Sequence, residues 1–538
     1  MWIRKIFYQI LVLFFVCLAC ENKIKTREPN KKVVVDSTIT AATAFNNLFL
    51  DSAKIQKFLD KNSEYIIYQQ QYFDFYKQRN YEYAWFDKTG ISEQASNFMN
   101  LLNTTIIEKN DSSLYNKKLV TLSSSFVTDS SKHLESSPLQ TELYLTGQFF
   151  AYASKAYNNN NIDATELGWF IPKKKFDFAT LADSIIISKG KGEDGYLPLN
   201  KQYEQLQTEL TRYYNIQKNN SWGSIAQPKR KYKPGDSSVA IAQIKQRLFL
   251  LGDMPQQDTT KQYDSALAES IKSFQHRMGL QENGIIDKGT MKELNYPIKE
   301  RIKQILINLE RVRWMPAESD SHYILINIPE YKLYVYDNGG LQFDMNVIVG
   351  KEGTGTVIFT GNLKYIVFSP YWNVPSSIVR KEILPAIDSA PNYLEEQDME
   401  ITGYDTEGVP VIRQKPGEKN SLGLVKFLFP NNYNIYLHDT PFKDLFSKQS
   451  RSFSHGCIRL EDATKMALYL IRDQPEYTPE KIDSLMHLDH EKWVTLKNPV
   501  RVSITYFTAW VDADGKLNFR KDIYGHDEDM ANKLFVKG

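Results

Sequence analysis

The stretch YLHDTPFKDLFSKQSRSFSHGCIRL, residues 436–460, joins a predicted strand to a cysteine in a tight turn. The cysteine is Cys457, and fifteen residues separate His438 at the end of the strand from Ser454 at the start of the turn. Nucleophilic thiol catalysis requires a cysteine and a histidine that can meet in space. The stretch therefore predicts a Cys457 nucleophile with His438 as its partner.

The residues around the thiol predict how its reactivity is raised. Gly456 removes side-chain bulk beside the sulfur and permits a tight backbone turn. The pattern over 461–470 predicts a helix. If that helix starts near Arg459, its positive N-terminal end faces the sulfur, lowers the thiol pKa and leaves backbone N–H groups free for a developing oxyanion.

Three other interpretations of these residues stay open. Cys457, His455 and His438 could be ligands of a zinc ion, although the chain has only three cysteines and lacks a thiol-rich zinc spacing. The histidines could be ordinary surface residues. The segment could also keep its shape without any activity.

Composition limits the class of protein. A length of 538 residues predicts several domains, and 42% hydrophobic with 24% charged residues argues against long disorder, collagen and a polytopic membrane protein. Lys and Arg total 66 against 64 Asp and Glu. This balance implies no polyanion-binding field, so no nucleic-acid partner is expected.

The N-terminal residues predict export. A basic start over 1–5 precedes an apolar run over 10–19, which is typical of a signal peptide; a transmembrane anchor is the alternative, but the run is short for spanning. The residues 16–20, VCLAC, resemble a bacterial lipobox. This resemblance implies a signal peptide over 1–20, lipidation of Cys20, membrane association through that anchor and a polar tether over 21–44.

The body of the chain divides into predicted segments by composition and periodicity. Helical patterns with aromatic apolar faces predict a scaffold over 45–217, and a polar, Pro-bearing stretch predicts a linker over 218–235. Residues 236–297 predict three short helices. Asp236 or Ser237 would cap the first of these helices, Asp264 precedes the second and Asp287 the third. A connecting helix is predicted over 298–320.

The remaining residues, 321–538, predict a β-rich domain. Strand patterns over 323–328, 332–336 and 341–349 form a hairpin meander with a turn over 337–340, and another strand covers 364–368. Over about 376–420 the strand pattern gives way to a short helical pattern and then to prolines among charged residues, which predicts an insertion or lid. The expected fold class is multidomain α+β, with a helical scaffold, a three-helix bundle and a mostly β catalytic sandwich carrying a capping insertion.

Several motifs resemble known families. The order of His438, a spacer and then Ser-His-Gly-Cys resembles the signature of YkuD-type L,D-transpeptidases. The 236–297 unit resembles the three-helix peptidoglycan-binding domain through Phe274-Gln275, Gly279-Leu280, Asn283-Gly284 and Thr290. Further stretches resemble the large YcbB-type subgroup: Tyr371-Trp372-Asn373-Val374-Pro375, Ile383-Leu384-Pro385, Leu422 to Phe427, His438-Asp439-Thr440-Pro441, Tyr506 to Trp510 and Asp522-Ile523-Tyr524-Gly525.

The resemblance implies an activity and roles for individual residues. It implies a transferase that forms 3→3 crosslinks between peptidoglycan stems through a thioester on Cys457, with His438 as base or imidazolium partner. A backbone carbonyl near His438, rather than the Asp439 carboxylate, is expected to orient the imidazole. The N–H groups of Gly456 and Cys457 are the expected oxyanion donors. Pocket-lining or substrate-binding residues are expected to be Tyr436, Trp372, Asn373, Ser454, His455 and Arg459.

The same resemblance implies partners and a location. No metal or organic cofactor is expected, the substrates are peptidoglycan stem peptides, and carbapenem-type inhibitors are expected to acylate the thiol. The location implied is the cell envelope of a Gram-negative-type bacterium, facing the periplasm. Three alternatives remain: an L,D-carboxypeptidase with the same site, a non-catalytic wall-binding lipoprotein that uses the 236–297 bundle, and an enzyme that attaches proteins to the wall.

Overall fold

The structure is a computed structural model, and it describes most of the predicted body of the chain. The described residues are 39, 44, 46–87, 90–108, 112–128, 138–156, 201–219, 222–227, 230–313, 322–431 and 434–535. The predicted signal peptide, Cys20 and most of the predicted tether lie outside them. Within the described ranges, no helix is both long enough and apolar enough to cross a bilayer.

The N-terminal region is helical and packs around aromatic side chains. Trp85 is fully buried, with ring centroids 5.2 Å from Phe98 and 5.4 Å from Phe149. The prediction that aromatic residues here form a core is therefore confirmed. Its elements are α1 (Ser52–Lys61), α2 (Gln69–Gln78), β1 (Phe86–Asp87), β2 (Gly90–Ile91), α3 (Glu93–Glu108), α4 (Lys117–Thr128) and α5 (Pro138–Ala156), with 3-10 helices over Ser63–Tyr68 and Ser112–Leu114.

A second group of helices follows, and side chains cap three of them as the sequence indicates. Ser238, Asp264 and Asp287 each accept a hydrogen bond from a backbone N–H of the first turn. The first cap is one or two residues later than predicted because Asp236 instead accepts from the Lys233 N–H and pairs with a linker arginine. These helices are α6 (Lys201–Asn219), α7 (Val239–Leu251), α8 (Ser265–Arg277), α9 (Lys288–Leu294) and α10 (Ile298–Val312).

The end of the chain shares a core with this second group. The hairpin β15 (Ala509–Val511) and β16 (Leu517–Phe519) and the helix α16 (His526–Leu534) bury their apolar faces against α6 to α10. α6 belongs to this core as well, although it ends the predicted scaffold segment. The last part of the predicted catalytic segment is thus packed on the bundle.

Between these parts the chain forms a sheet that closes on itself. The hydrogen-bonded order is β5, β13, β11, β10, β6, β14, β3, β4, and β4 pairs again with β5; β12 adds to the outer edge of β5. The predicted fold class is confirmed, and the β domain is a barrel rather than two separate stacked sheets. The strands are β3 (His322–Asn327), β4 (Lys332–Asp337), β5 (Gly340–Gly350), β6 (Phe359–Phe368), β10 (Val425–Leu428), β11 (Leu437–His438), β12 (Ser452–Ser454), β13 (Ile458–Leu460) and β14 (Lys492–Thr505).

The four strand patterns predicted from sequence are all present in the barrel. Alternation explains them, because Ile324, Ile326, Leu333 and Val335 point inward and are fully buried. Two short 3-10 segments and two helices complete this part of the barrel region: 3-10 turns over Ile328–Glu330 and Lys443–Ser447, and the helices α14 (Ala463–Leu470) and α15 (Pro479–Met486).

An insertion with its own small core interrupts the barrel, and it is called the cap below. It covers residues 372–414 and contains a three-stranded sheet in the order β7, β9, β8. Val379 and Ile412 are among its buried residues. Its elements are β7 (Trp372–Asn373), α11 (Ser376–Ile378), a π segment (Val379–Ile383), α12 (Leu384–Ser389), α13 (Tyr393–Glu396), β8 (Met399–Tyr404) and β9 (Pro410–Gln414).

Candidate active site

Strand register brings the residues of the motif onto one face of the barrel. β11 runs parallel to β13, with Leu437 opposite Ile458 and His438 opposite Arg459. Leu437 and Ile458 point into the core and are fully buried. Because side chains alternate along a strand, His438 and Arg459 project from the other face, as do the residues two positions before each of them. Those residues are Tyr436 and Cys457.

A backbone carbonyl orients the imidazole of His438. Its Nδ1 lies 2.5 Å from the carbonyl oxygen of Asp439. Because a carbonyl oxygen only accepts, Nδ1 carries the proton, and the Nε2 lone pair is left for proton transfer. Burial, and then the charge of Arg459, lowers the pKa of His438 to about 3. The resting imidazole is therefore neutral at neutral pH.

The carboxylate of Asp439 is committed elsewhere. It accepts the N–H of Leu424 at 2.9 Å and the ammonium of Lys443 at 2.7 Å. The group on Nδ1 is thus the carbonyl of Asp439 and not its carboxylate.

The thiol of Cys457 is half-buried, and the hydrogen bond that it donates goes to a backbone carbonyl. It donates to the carbonyl oxygen of Asn434 at 3.6 Å, and among the described residues no hydrogen bond joins Sγ to the ring of His438. Burial raises the thiol pKa, while hydrogen bonding from Tyr436 and the charge of Arg459 act in the other direction. The resting pair is a neutral thiol and a neutral imidazole.

The expectation of a helix terminus that lowers the thiol pKa is wrong. The helix begins at Ala463 with Asp462 as its cap, and β13 lies between the sulfur and that helix. Ile458 and Leu460 are buried and Arg459 is not, so this segment alternates as a strand and cannot continue a helix back to the thiol. The positive end of the helix therefore lies beyond β13.

Hydrogen bonds from a serine within the turn and from a threonine of a neighbouring loop hold the turn that carries the thiol. Gly456 has a φ of +120°, a conformation that favours glycine. Its N–H donates to Ser454 Oγ at 3.1 Å, and this hydroxyl donates to the Cys457 carbonyl at 2.5 Å. Thr356 Oγ1 donates to the Gly456 carbonyl at 2.8 Å. The Gly456 N–H is therefore occupied, whereas the Cys457 N–H makes no hydrogen bond within the described residues.

His455 connects this turn to the cap. Its Nε2 lies 2.8 Å from Oε1 of Glu382, which belongs to the π segment of the cap. Trp372 and Asn373 also belong to the cap, where they form β7 and pair with β9. The structure therefore brings His455 to the cap rather than to the imidazole, and it gives Trp372 and Asn373 no contact with the thiol.

Tyr436 and Arg459 flank the reactive pair. The ring of Tyr436 lies 5.7 Å from that of His438, and burial followed by the charge of Cys457 raises the pKa of its hydroxyl. Burial lowers the pKa of Arg459, whose guanidinium lies 5.9 Å from the ring of Phe442. Both predicted residues thus lie beside the thiol.

Three contributors were not identified from the sequence. Thr356 supports the turn, Glu382 pairs with His455, and Asn434 receives the thiol. Thr356 and Glu382 lie far from the motif in the chain, and Asn434 acts through its carbonyl group, which every residue type has. In the part of the chain that the structure describes, no group of three or more His, Cys, Asp or Glu side chains is arranged to hold a metal ion.

A thiol and an oriented neutral imidazole on one face of a small β-barrel are the groups that enzymes of the nucleophilic-thiol class require. Family comparisons agree with this class and specify it. Residues 321–476 match the YkuD family, described as "L,D-transpeptidase catalytic domain", residues 70–210 match a "Scaffold domain", and residues 237–294 match a "Putative peptidoglycan binding domain". The chain therefore carries a YkuD-family L,D-transpeptidase catalytic domain with a scaffold and a peptidoglycan-binding domain, which confirms the resemblance seen in its motifs.

Individual proteins are similar to parts of the chain. "Putative L,D-transpeptidase" of Haemophilus influenzae is 30% identical over 246 residues, which cover 42% of this chain and 49% of that protein. The chain thus spans about half the length of this curated relative. The crystal structure of L,D-transpeptidase (Yku) from Stackebrandtia nassauensis is 15% identical, with a TM-score of 0.21 over 52% of this chain and 97% of that one. LD transpeptidase LdtMt1 in complex with imipenem is 14% identical, with a TM-score of 0.19 over 35% and 59%.

Proposed function

We propose that this chain is a cysteine-dependent L,D-transpeptidase that joins peptidoglycan stem peptides by 3→3 crosslinks through a thioester. The main support is the arrangement of one face of the barrel, where the Cys457 thiol projects on the same side as the oriented imidazole of His438. An activated thiol beside a base is sufficient for acyl transfer without a metal or an organic cofactor.

In the first half-reaction, Nε2 of His438 takes the thiol proton as Sγ of Cys457 attacks the carbonyl carbon of the third residue of a donor tetrapeptide. The carbonyl oxygen becomes an oxyanion, and the unoccupied N–H of Cys457 is the donor available to it. The C–N bond then breaks, the imidazolium gives its proton to the leaving amine, and the terminal D-Ala departs. A thioester remains.

In the second half-reaction, the side-chain amine of a neighbouring stem attacks the thioester. His438 takes the proton of this amine, a C–N bond forms, the C–S bond breaks, and the imidazolium returns the proton to the departing sulfur. The thiol donates to the Asn434 carbonyl at rest, so in this proposal it turns toward the imidazole, which projects from the same face, by rotation about the Cys457 side-chain bond.

The remaining predicted residues take different parts in this proposal. Tyr436 and Arg459 flank the thiol and would line the donor pocket. Ser454 shapes the turn through its two hydrogen bonds. Trp372 and Asn373 belong to the cap, so they would contact the substrate only if the cap lies over it. His455 would hold the cap over the thioester, where exclusion of water favours the amine over hydrolysis.

The proposed location follows from the substrate. An enzyme that acts on the peptidoglycan of a cell wall works in the cell envelope, and the peptidoglycan-binding domain over 237–294 is consistent with wall association. Lipidation of Cys20 and a periplasm-facing anchor are part of the proposal. Acylation of the thiol by carbapenems is expected from the same chemistry.

The experiment incubates the purified protein with tetrapeptide stems and analyses products and intact protein by mass spectrometry. We expect a thioester adduct on Cys457, released D-Ala and dimeric stems joined 3→3. Cys457→Ala should abolish all three, whereas His487→Ala, which alters an exposed histidine, should keep them.

Other product patterns would replace the proposal with one of its rivals. Tripeptide stems without dimers would indicate an L,D-carboxypeptidase. Stems joined to another protein would indicate protein attachment. Binding to sacculi with no adduct and no effect of Cys457→Ala would indicate a non-catalytic wall-binding protein.

A further inference from the structure

The guanidinium of Arg459 is a cation that no carboxylate of the described residues neutralises. Its Nε is sealed from solvent without a hydrogen-bond partner, and within the described residues the side chain makes no ion pair. The guanidinium carbon lies 5.9 Å from the centre of the Phe442 ring. A partly buried guanidinium without a counter-ion is unfavourable, so this arrangement favours an anionic ligand.

The acidic side chains near β13 have other partners. Asp439 accepts from Lys443 and from the Leu424 N–H. Glu461 accepts from the backbone N–H and the side-chain amide of Asn346, each at 3.0 Å. Within the described residues, neither of these two carboxylates is left to pair with Arg459.

The position of Arg459 indicates where its counter-ion comes from. It lies opposite His438 in the register of β11 and β13, and it projects from the same face as Cys457. The resting thiol is neutral and supplies no negative charge. A planar guanidinium with a fork of N–H donors fits a carboxylate, and a donor stem has one at its C-terminus.

We propose that Arg459 binds the terminal carboxylate of the donor stem, which belongs to the residue expelled when the thioester forms. This inference rests on the proposed function. In an extended stem the terminal carboxylate lies one residue beyond the scissile carbonyl, about 3.8 Å along the chain. Arg459 lies two residues beyond Cys457 in an extended segment, about 6.6 Å. A carbonyl at the sulfur therefore leaves the carboxylate within reach of the guanidinium.

This contact makes Arg459 a determinant of specificity. A stem that ends one residue after the scissile bond presents an anion to the arginine, whereas a stem one residue longer presents a neutral amide at that point. After the terminal residue leaves, its carboxylate leaves with it, and the arginine holds nothing that blocks the acceptor amine.

The test measures binding of two synthetic stems to protein carrying Cys457→Ala, so that no chemistry interferes. One stem ends in a free carboxylate, and the other is identical except for a C-terminal carboxamide. We expect the acid to bind about 10- to 100-fold more tightly, the range for a charge-assisted hydrogen-bonded pair. Adding Arg459→Gln should bring the two affinities within about threefold, and Arg459→Lys should restore part of the preference.

Several results would overturn the inference. Equal binding of acid and amide to the Cys457→Ala protein would do so. An equal loss for both stems in Arg459→Gln would also do so, because it would mean that the arginine acts on the fold or the thiol. A stem amidated only on its side-chain carboxylates that loses affinity, while the terminal amide does not, would place the anion elsewhere. Arg230→Gln, an exposed arginine outside the catalytic domain, controls for net charge.

Turnover by the protein with Cys457 intact separates this inference from the proposed function. An acid preference that depends on Arg459 but comes with no thioester would reject the transpeptidase and keep the carboxylate site. Turnover of acid and amide stems at equal rates would keep the transpeptidase and reject the site. Failure of both stems to bind would reject both. The unfolding temperature of Arg459→Gln should not fall, because the arginine has no protein partner to lose.

Discussion

The peptidoglycan-binding bundle and the barrel face that carries Cys457, His438 and Arg459 (the catalytic face) both contain basic side chains that are at least partly shielded from water, but only the bundle pairs them with carboxylates among the described residues. In the bundle, the buried Lys245 contacts Asp264 at 2.6 Å, and Arg277 pairs with Asp253 through Nε at 2.8 Å. Burial works against the charge on Arg277, but Asp253 outweighs it and raises the pKa.

On the catalytic face, burial has the largest influence. It lowers the pKa of Arg459, which has no carboxylate partner among the described residues, and burial followed by the charge of Arg459 lowers the pKa of His438, which remains neutral. A compensated buried charge is part of the architecture, whereas an uncompensated one is available to a ligand or a reaction. Arginine thus serves structure in the bundle, whereas the arginine of the catalytic face is the one for which we propose a function.

The largest effect of a substitution on activity is expected at His438, the proposed base. His438→Gln removes the Nε2 lone pair that takes the thiol proton, so we expect thioester formation to slow by about 100- to 10,000-fold. The measurement is the rate of adduct formation by intact mass at neutral pH. His490→Gln alters an exposed histidine and should react like the parent. A loss of less than tenfold in His438→Gln would remove the imidazole from the mechanism.

The contrast between the two arginines predicts opposite changes in stability. Arg277→Gln leaves Asp253 buried without its partner, so the free energy of unfolding should fall by about 3–5 kcal/mol. Arg459→Gln leaves no partner behind, and its free energy of unfolding should stay level or rise. Urea unfolding of both variants measures the difference. Equal destabilisation would mean that Arg459 is structural, and the comparison between the regions would fail.

Acid should destabilise the protein through His438. The folded pKa of about 3 lies below the unfolded value of about 6.5, so the unfolded state binds the proton first as the pH falls. The stabilising effect of the neutral imidazole is complete above pH 6.5 and is lost progressively toward pH 3. This one site should contribute a slope of up to about 1.4 kcal/mol per pH unit in that window.

The matched measurement compares unfolding at pH 7 and pH 4 in the parent and in His438→Gln. Glutamine does not titrate, so the variant should lose less stability than the parent over this interval. A parent and a variant that lose the same amount would show that the buried imidazole does not carry the effect.

The sequence predicts the bundle better than the turn around the thiol, and the reason is physical. Helix caps are local: Asp264 and Asp287 bond to backbone groups three residues away, so spacing alone locates them. The strands of the barrel were predictable from alternation, but their closure through β4 and β5 depends on pairing across the chain.

The site follows the same division. Residue type and spacing predict Cys457 and His438 as the candidate pair, whereas the directions of their pKa shifts depend on burial, which spacing does not report. The occupied N–H of Gly456 depends on the rotamer of Ser454, and Thr356 reaches Gly456 from another loop. The sequence predicts the start of the helix too close to the thiol, because three residues are too few to reveal the strand Ile458–Leu460 that lies between them.

The smallest effect is expected at the contact between the cap and the thiol turn. Glu382 and His455 are both partly exposed, so Glu382→Gln should cost at most about 1 kcal/mol of stability. If the contact holds the cap over the thioester, its loss admits water, and the ratio of hydrolysed to crosslinked product should rise a few-fold while thioester formation changes little. Quantifying tripeptides and dimers from one reaction measures this ratio. Glu407→Gln, which removes another exposed carboxylate of the cap that pairs with Arg380, is the control. A ratio that stays at the parent value in Glu382→Gln would show that this contact does not control access of water to the thioester. The catalytic face would then protect the thioester without help from the contact between His455 and the cap.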